Sequence, residues 1–231
     1  MNKIIIANWK AHPDTLAEAQ ALFETETEAA AKYPNIKTVI CPPAEFVKEL
    51  GANGTQDIFY STNKVLYLSM HQFPAYPGTG WLEEIGMEKG KGFTINIPMP
   101  PYTGDDLFLQ ILNEFIPKIK NGFNPDVVAV SAGFDGHHSD PLLQLNLTAT
   151  AYYETGKLLS KNFKNIFACL EGGYNLEFLH KNIIDFVNGI NNKSQEFKEE
   201  SAKSDNDVIN DFKLRTIILK ENLKKYWNFN A

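Results

Sequence analysis

Asp135, His137, His138 and Asp140 lie close together in the sequence and carry side chains that bind metal ions. Carboxylate and imidazole groups at this density suit a divalent cation. The same residues would also suit a polar loop whose acids cap the following helix. The spacing alone leaves both interpretations open, so the elements that hold this loop have to be considered.

The loop follows a short apolar run, Val-Val-Ala-Val at 127–130. A β-branched run of this length predicts a strand that is buried on both faces of a parallel sheet. Asp135 would then lie just past the carboxyl end of a central strand, where open α/β sheets bind their ligands.

A second apolar run at 166–170 leads into Glu-Gly-Gly-Tyr at 171–174, which would bring Tyr174 to the same edge of the sheet. Gly172 and Gly173 would let a substrate approach the backbone closely. A phenol there can donate a hydrogen bond to a carbonyl oxygen that gains charge, and a metal can activate water. Together they indicate an amide hydrolase, although Tyr174 alone could be a surface tyrosine packed on a turn.

The remaining apolar patterns alternate between strands and helices along the chain. They predict strands at 3–10, 37–41, 65–69 and 93–97, and helices at 13–33, 44–50, 105–119, 145–161, 179–190 and 208–229. Pro117 is expected to kink or shorten its helix. One helix per strand predicts an α/β fold with a parallel sheet. The polar residues 191–207 predict a mobile linker.

Composition narrows the class of protein. A net charge of −6 over 231 residues argues against a basic nucleic-acid surface. The sequence has no run near the roughly 20 apolar residues of a membrane span and no signal peptide at its start. Cys41 and Cys169 adjoin apolar runs, which indicates buried thiols and a reducing, cytoplasmic setting.

Seven short motifs resemble, in order and spacing, those of the zinc-dependent histone deacetylase family, which includes acetoin-utilisation proteins and acetylpolyamine deacetylases. They are Asn-Gly-Thr-Gln-Asp (53–57), Ser-Met-His (69–71), Tyr-Pro-Gly-Thr-Gly (76–80), Asn-Ile-Pro-Met-Pro (96–100), Ser-Ala-Gly-Phe-Asp (131–135), Asp-Pro-Leu (140–142) and Glu-Gly-Gly-Tyr (171–174). The resemblance implies an arginase-like α/β fold and hydrolysis of N-acetyl groups on lysine side chains or amines.

The resemblance also implies roles for individual residues. Asp135 matches a zinc ligand and Tyr174 the catalytic tyrosine. Tyr76 matches an aromatic residue of the substrate channel, which Gly172 and Gly173 would also line. Ser69 matches a monovalent-cation site, with an ordinary strand-end serine as the alternative. His71 is expected to be a packed structural histidine, and His137, His138 and Asp140 match no zinc ligand of the family.

One part of the family pattern is absent. In the family, an Asp-x-His-His-Gly type of motif directly before the Asn-Gly-Thr-Gln motif supplies the other two zinc ligands, and tandem histidines further upstream act as general base and acid. Here residues 47–52 read Val-Lys-Glu-Leu-Gly-Ala, and His12 is the only upstream histidine. We therefore expect weak or absent activity.

Residues 1–50 resemble instead the start of triosephosphate isomerase. The resemblance lies in Ile-Ala-Asn-Trp-Lys at 6–10 and Val-Ile-Cys-Pro-Pro at 39–43, and it implies substrate contacts for Asn8 and Lys10. This gives three predicted parts: an isomerase-like β-α-β-α segment (1–50), a partial deacetylase-like domain (51–190), and a polar linker with a last helix (191–231).

Three hypotheses follow. The first is a weak or inactive deacetylase. The second is a non-catalytic module or fusion product, joined near Leu50, whose incomplete sheet pairs with a partner chain. The third is a fragment of triosephosphate isomerase, which lacks that family's later catalytic groups.

Overall fold

A computed structural model describes residues 3–8, 36–41, 54–75 and 78–228 of the chain. The chain divides into two units, residues 1–59 and residues 60–231, and each is described separately.

In the first unit, strands β1 (Lys3–Asn8) and β2 (Ile36–Cys41) pair in parallel. Lys3 lies opposite Ile36 and Asn8 lies opposite Cys41. The predicted parallel pairing is therefore confirmed. The helices predicted at 13–33 and 44–50 lie outside the described residues. A short helix that we did not predict, α1 (Gly54–Phe59), follows the predicted loop at 51–54.

The second unit contains two parallel strand pairs and four long helices. Strand β3 (Tyr67–Gln72) pairs with β4 (Thr94–Met99), and β5 (Val128–Ala132) pairs with β6 (Ile166–Leu170). The helices are α2 (Asp105–Gly122), α3 (Ala149–Asn162), α4 (Leu176–Ile190) and α5 (Asn206–Leu223). A 3-10 turn (Glu88–Gly90) precedes β4.

Helix α2 runs through Pro117 to Gly122, so the proline does not shorten the helix, and the alternative that it kinks the helix stays a prediction. Proline removes one helical hydrogen bond and costs about 3 kcal/mol in a helix interior. Apolar side chains of α2 are buried on both sides of the proline, from Ile111 and Phe115 to Ile119. We attribute the continuity of the helix to this burial, because each such side chain contributes about 1.5–3 kcal/mol.

Strands β4 and β5 differ in burial. Every residue of β4 is buried, as expected of a strand inside a parallel sheet. In contrast, β5 exposes Ala129 and Ser131, and β6 exposes Leu170. The prediction that β5 is buried on both faces is therefore wrong in this chain, and Cys169 of β6 is half-buried rather than buried.

Helices α3 and α4 pack closely at two glycines. A Cβ atom on Gly156 of α3 would overlap the carbonyl oxygen of Phe186 and lie 2.9 Å from Ile190 N. A Cβ atom on Gly189 of α4 would overlap the carbonyl oxygen of Tyr153. The two backbones approach this closely because neither glycine has a side chain.

Residues 191–205, here called the strap, connect α4 to α5 along a path fixed by hydrogen bonds. The Asp185 carboxylate accepts hydrogen bonds from the backbone N–H groups of Glu196 (2.8 Å) and Phe197 (3.2 Å). Gly104 N donates to Ser204 Oγ at 2.9 Å, at the start of α2. These bonds tie the strap to α2 and α4, and that the segment is a mobile linker stays a prediction.

Of the helices in the part of the chain that the structure describes, none is long and apolar enough to cross a membrane.

Candidate functional site

The loops that follow β5 and β6 lie side by side because the two strands are parallel and in register. Ala132 pairs with Leu170 at the carboxyl ends of the strands. Beyond this pair, Glu171 N donates to Ala132 O (3.0 Å) and Phe134 N donates to Gly172 O (2.9 Å). These bonds continue the backbone hydrogen bonding between β5 and β6 into the two loops and fix the positions of the loop residues that follow.

Asp135 lies directly against the backbone of Gly172. A Cβ atom on Gly172 would lie 2.6 Å from Asp135 Oδ2 and 2.8 Å from its Cγ, so a side chain at position 172 would displace the carboxylate. Burial raises the pKa of the Asp135 carboxyl, and the negative charge of Asp140 raises it further. The structure therefore brings Asp135 and the Gly-Gly pair together.

Gly173 makes the turn that leads to Tyr174. Its φ of +132° lies in a region that favours glycine, and a Cβ atom there would lie 2.6 Å from Leu179 Cδ1. Asn175 then caps α4 by accepting a hydrogen bond from Glu177 N (3.0 Å). A tight turn followed by a capped helix holds the backbone of Tyr174 at the edge of the sheet.

The phenol of Tyr174 is available to a ligand, because the residue is 51% exposed. Its pKa is raised by burial and by the negative charges of Asp135, Asp140 and Glu171. The phenol therefore stays protonated at neutral pH and can donate a hydrogen bond.

Asp140 joins the two loops. Its carboxylate accepts hydrogen bonds from Tyr174 N (Oδ2, 2.7 Å) and from Leu142 N (Oδ1, 3.0 Å), and its side chain is 7% exposed. The carboxylate of Asp140 therefore binds backbone N–H groups of the two loops, and the prediction that the acids of this loop cap the next helix does not hold for Asp140, because Thr148 caps α3.

His137 and His138 both face the carboxylate of Glu199, a strap residue. His137 Nε2 lies 3.0 Å from Glu199 Oε2, and His138 Nε2 lies 3.6 Å from Oε1. His137 is 1% exposed. Sequence reasoning missed Glu199, because nothing in the pattern of a charged segment shows which of its acids contacts a distant histidine.

The described residues do not fit a catalytic zinc ion at Asp135. Among them, the only group of three or more histidine, cysteine or acidic side chains close enough to share an ion is His137, His138 and Glu199, which does not include Asp135. A catalytic zinc takes three protein ligands and a water molecule. Asp135 offers one carboxylate.

The other predicted site residues lie elsewhere or outside the described residues. Ser69 Oγ lies 2.9 Å from His71 Nδ1 in β3, and His71 Nε2 lies 3.0 Å from Gly80 O. His71 is therefore held like a structural histidine, and burial lowers its pKa. Asn8 ends β1, but its side chain lies outside the described part, as do Lys10 and Tyr76.

The sequence profile of the family described as the histone deacetylase domain matches residues 51–190. A probable deacetylase from Archaeoglobus fulgidus is 45% identical over 130 residues, which are 54% of this chain and 36% of that protein. The chloroplastic histone deacetylase 14 of Arabidopsis thaliana is 41% identical over 138 residues, 58% of this chain and 33% of that protein. The chain therefore spans about a third of the length of these curated relatives.

Two solved structures share the fold. The histone deacetylase Clr3 superimposes with a TM-score of 0.68 at 24% identity and covers 100% of this chain and 33% of its own. The HDA15 HD domain gives a TM-score of 0.65 at 23% identity and covers 97% of this chain and 52% of its own. The resemblance of residues 1–50 to triosephosphate isomerase is not shown by these matches and stays a prediction.

Proposed function

This chain belongs to the histone deacetylase family, and we propose that it is a member in which zinc-dependent hydrolysis of N-acetyl-lysine or acetyl-amine amides is weak or absent. The single observation that carries this proposal is that, among the described residues, Asp135 belongs to no group of three histidine, cysteine or acidic side chains close enough to share an ion. One carboxylate without two further ligands binds zinc weakly, so we assign no metal-dependent step to this chain.

The residues that remain would suit the binding of an acetylated amine. The protonated phenol of Tyr174 can donate a hydrogen bond to an amide carbonyl oxygen. By family resemblance, Gly172 and Gly173 would line the acyl channel, while the space that a side chain would fill at these two glycines is taken by Asp135 and Leu179. By family resemblance, Tyr76 would line the same channel and Ser69 would hold a monovalent cation.

The absence of a general base would lower the rate further. A positioned general base commonly contributes about a hundredfold to ten-thousandfold to the rate. The family places this role on tandem histidines that have no counterpart before residue 53 of this chain. Losing the base and two metal ligands together would remove most of the rate enhancement.

The proposal is tested by the turnover of an acetyl-lysine peptide with zinc added to the purified full chain. Tyr174→Phe and Asp135→Asn are compared with Tyr102→Phe, a matched control because Tyr102 is also exposed, at 58%. We expect turnover near the background rate in all four proteins. Strong turnover that is lost in Tyr174→Phe and Asp135→Asn but kept in Tyr102→Phe would show that the chain is an active deacetylase.

A second candidate function is a non-catalytic module that pairs with a partner chain. The observation in its favour is the uncovered face of β5 and β6, where Leu170 is 58% exposed, together with Leu176 at the start of α4, which is 83% exposed. Exposed strands and apolar side chains favour association. Light scattering that shows a monomer, together with a single cooperative melting transition, would count against this function.

A further inference from the structure

We propose that His137, His138 and Glu199 form a binding site for a divalent transition-metal ion, chiefly Zn²⁺, apart from Asp135. No site of this composition follows from the family resemblance, which assigns no zinc-ligand role to either histidine. The proposal is independent of whether the chain hydrolyses amides.

The geometry is close to that of a bound ion. The ligating atoms of the three side chains all lie within 4.8 Å of one another. Zinc binds nitrogen and oxygen ligands at about 2.0–2.1 Å with tetrahedral geometry, which places ligand atoms roughly 3.3 Å apart. Each histidine approaches a different oxygen of Glu199: His137 Nε2 lies 3.0 Å from Oε2, a hydrogen-bond distance, and His138 Nε2 lies 3.6 Å from Oε1. An ion would take the place of the hydrogen bond between His137 and Glu199.

A turn points both imidazoles in one direction. Successive side chains of an extended strand point to opposite sides. Here His138 N donates to Leu147 O at 2.8 Å within a turn, and the two imidazole ring centroids lie 4.3 Å apart. The ring of His138 also lies edge-on to Phe178, with 6.2 Å between the centroids, which holds it beside His137.

The surrounding hydrogen bonds orient the ligands. His137 Nδ1 lies 2.7 Å from Ser139 Oγ and accepts a hydrogen bond from Ser139 N at 3.3 Å, so without an ion Nε2 carries the proton and donates to Glu199 Oε2. An ion at Nε2 would shift this proton to Nδ1, where Ser139 Oγ can accept the hydrogen bond. Ala149 N donates to Glu199 Oε2 at 2.6 Å and fixes the carboxylate.

The chemical types of the three ligands indicate which ion could bind, and their exposure to solvent shows that an ion could reach them. Two imidazole nitrogens and one carboxylate suit zinc and its neighbours in the transition series, whereas Mg²⁺ and Ca²⁺ prefer oxygen ligands alone. The side chains of His138 and Glu199 are 41% and 24% exposed, so an ion can enter from solvent. A bound ion would tie the strap to the loop after β5.

The experiment measures the affinity of the purified full chain for Zn²⁺ by competition with a chromophoric chelator. His138→Gln and Glu199→Gln remove one ligand each, and His180→Gln is the matched control because His180 is also an exposed histidine. Loss of the residue that hydrogen-bonds to a metal ligand lowers the affinity for the metal by about 10- to 100-fold, and loss of the ligand itself should lower it more. We therefore expect losses beyond that range in the first two variants and none in His180→Gln.

Two further measurements keep the outcome unambiguous. Urea denaturation without metal checks that each variant folds, and His138→Gln should fold because its ring is partly exposed. Asp135→Asn should bind Zn²⁺ as tightly as the unmodified chain. Equal affinity in the unmodified chain and in His138→Gln would overturn the proposal, and so would binding that is lost only in Asp135→Asn.

Discussion

The packing of α3 on α4 gives the sharpest prediction about stability. The perturbation is Gly189→Ala in α4. The new Cβ atom would overlap the carbonyl oxygen of Tyr153 and lie 3.0 Å from Lys157 N and 3.2 Å from Gly156 Cα. All three neighbours are backbone atoms of α3, so no side chain can rotate to make room, and the two helices would have to move apart.

The magnitude follows from two opposing effects. Alanine is favoured over glycine in a helix by about 0.8–1.0 kcal/mol, which would stabilise the variant. Overpacking commonly costs about 1–3 kcal/mol, and a clash with backbone belongs at or above the upper end of this range. We therefore expect Gly189→Ala to lower the free energy of unfolding by about 2 kcal/mol.

Urea denaturation followed by circular dichroism measures this change. The Cβ atom of Gly156→Ala meets the same interface from α3, so the double variant should lose less than the sum of the two single losses. Gly122→Ala is the comparison, because its Cβ atom would meet only the ring of Trp227, at 2.9 Å, and no backbone atom of another helix. An increase in stability for Gly189→Ala would show that the close approach of α3 and α4 is wrong.

Three further predictions concern the two loops and the start of α2. Asp140→Ala should lower the free energy of unfolding by about 1.5–3 kcal/mol, because two N–H groups lose a charged acceptor. Asp140→Asn should lose less in the same denaturation assay. Gly172→Ala should leave the melting temperature nearly unchanged but displace the Asp135 carboxylate, which a crystal structure of the variant would reveal. Burial raises the pKa of Asp105 above its ordinary 3.8, although hydrogen bonds from Thr148 lower it. The protonated carboxyl group of Asp105 therefore stabilises the folded chain. This stabilisation is fully present below pH 3.8 and is lost as the pH rises through the raised pKa. Asp105→Asn should remove that decline, and an unchanged pH profile of stability would contradict the assignment.

Strands and pairing could be predicted because apolar runs are local signals. The run at 166–170 predicted β6 with its observed bounds, and parallel pairing followed from the alternation of strands with helices. Helix α3 begins at Ala149 rather than at 145 because the Thr148 side chain accepts a hydrogen bond from Thr150 N (3.2 Å) and caps it. The residue at which a helix begins therefore depends on individual capping side chains more than on the spacing of apolar residues.

The candidate site could be predicted in part. Parallel strands in register bring the loops after β5 and β6 together, so the contact of Asp135 with Gly172 follows from strand order alone. The contact of Glu199 with His137 joins residues far apart in sequence, and local patterns carry no information about it. The exposure of Leu170 likewise depends on which elements cover the strand, which its own apolar character does not show.

The strap also determines what can bind at the starts of two helices. Unpaired N–H groups at a helix start attract anions from solution. Gly104 N at the start of α2 is occupied by Ser204, and Ala149 N at the start of α3 is occupied by Glu199. The chain supplies these oxygen atoms itself, so acetate or phosphate could reach Ala149 N only by displacing Glu199.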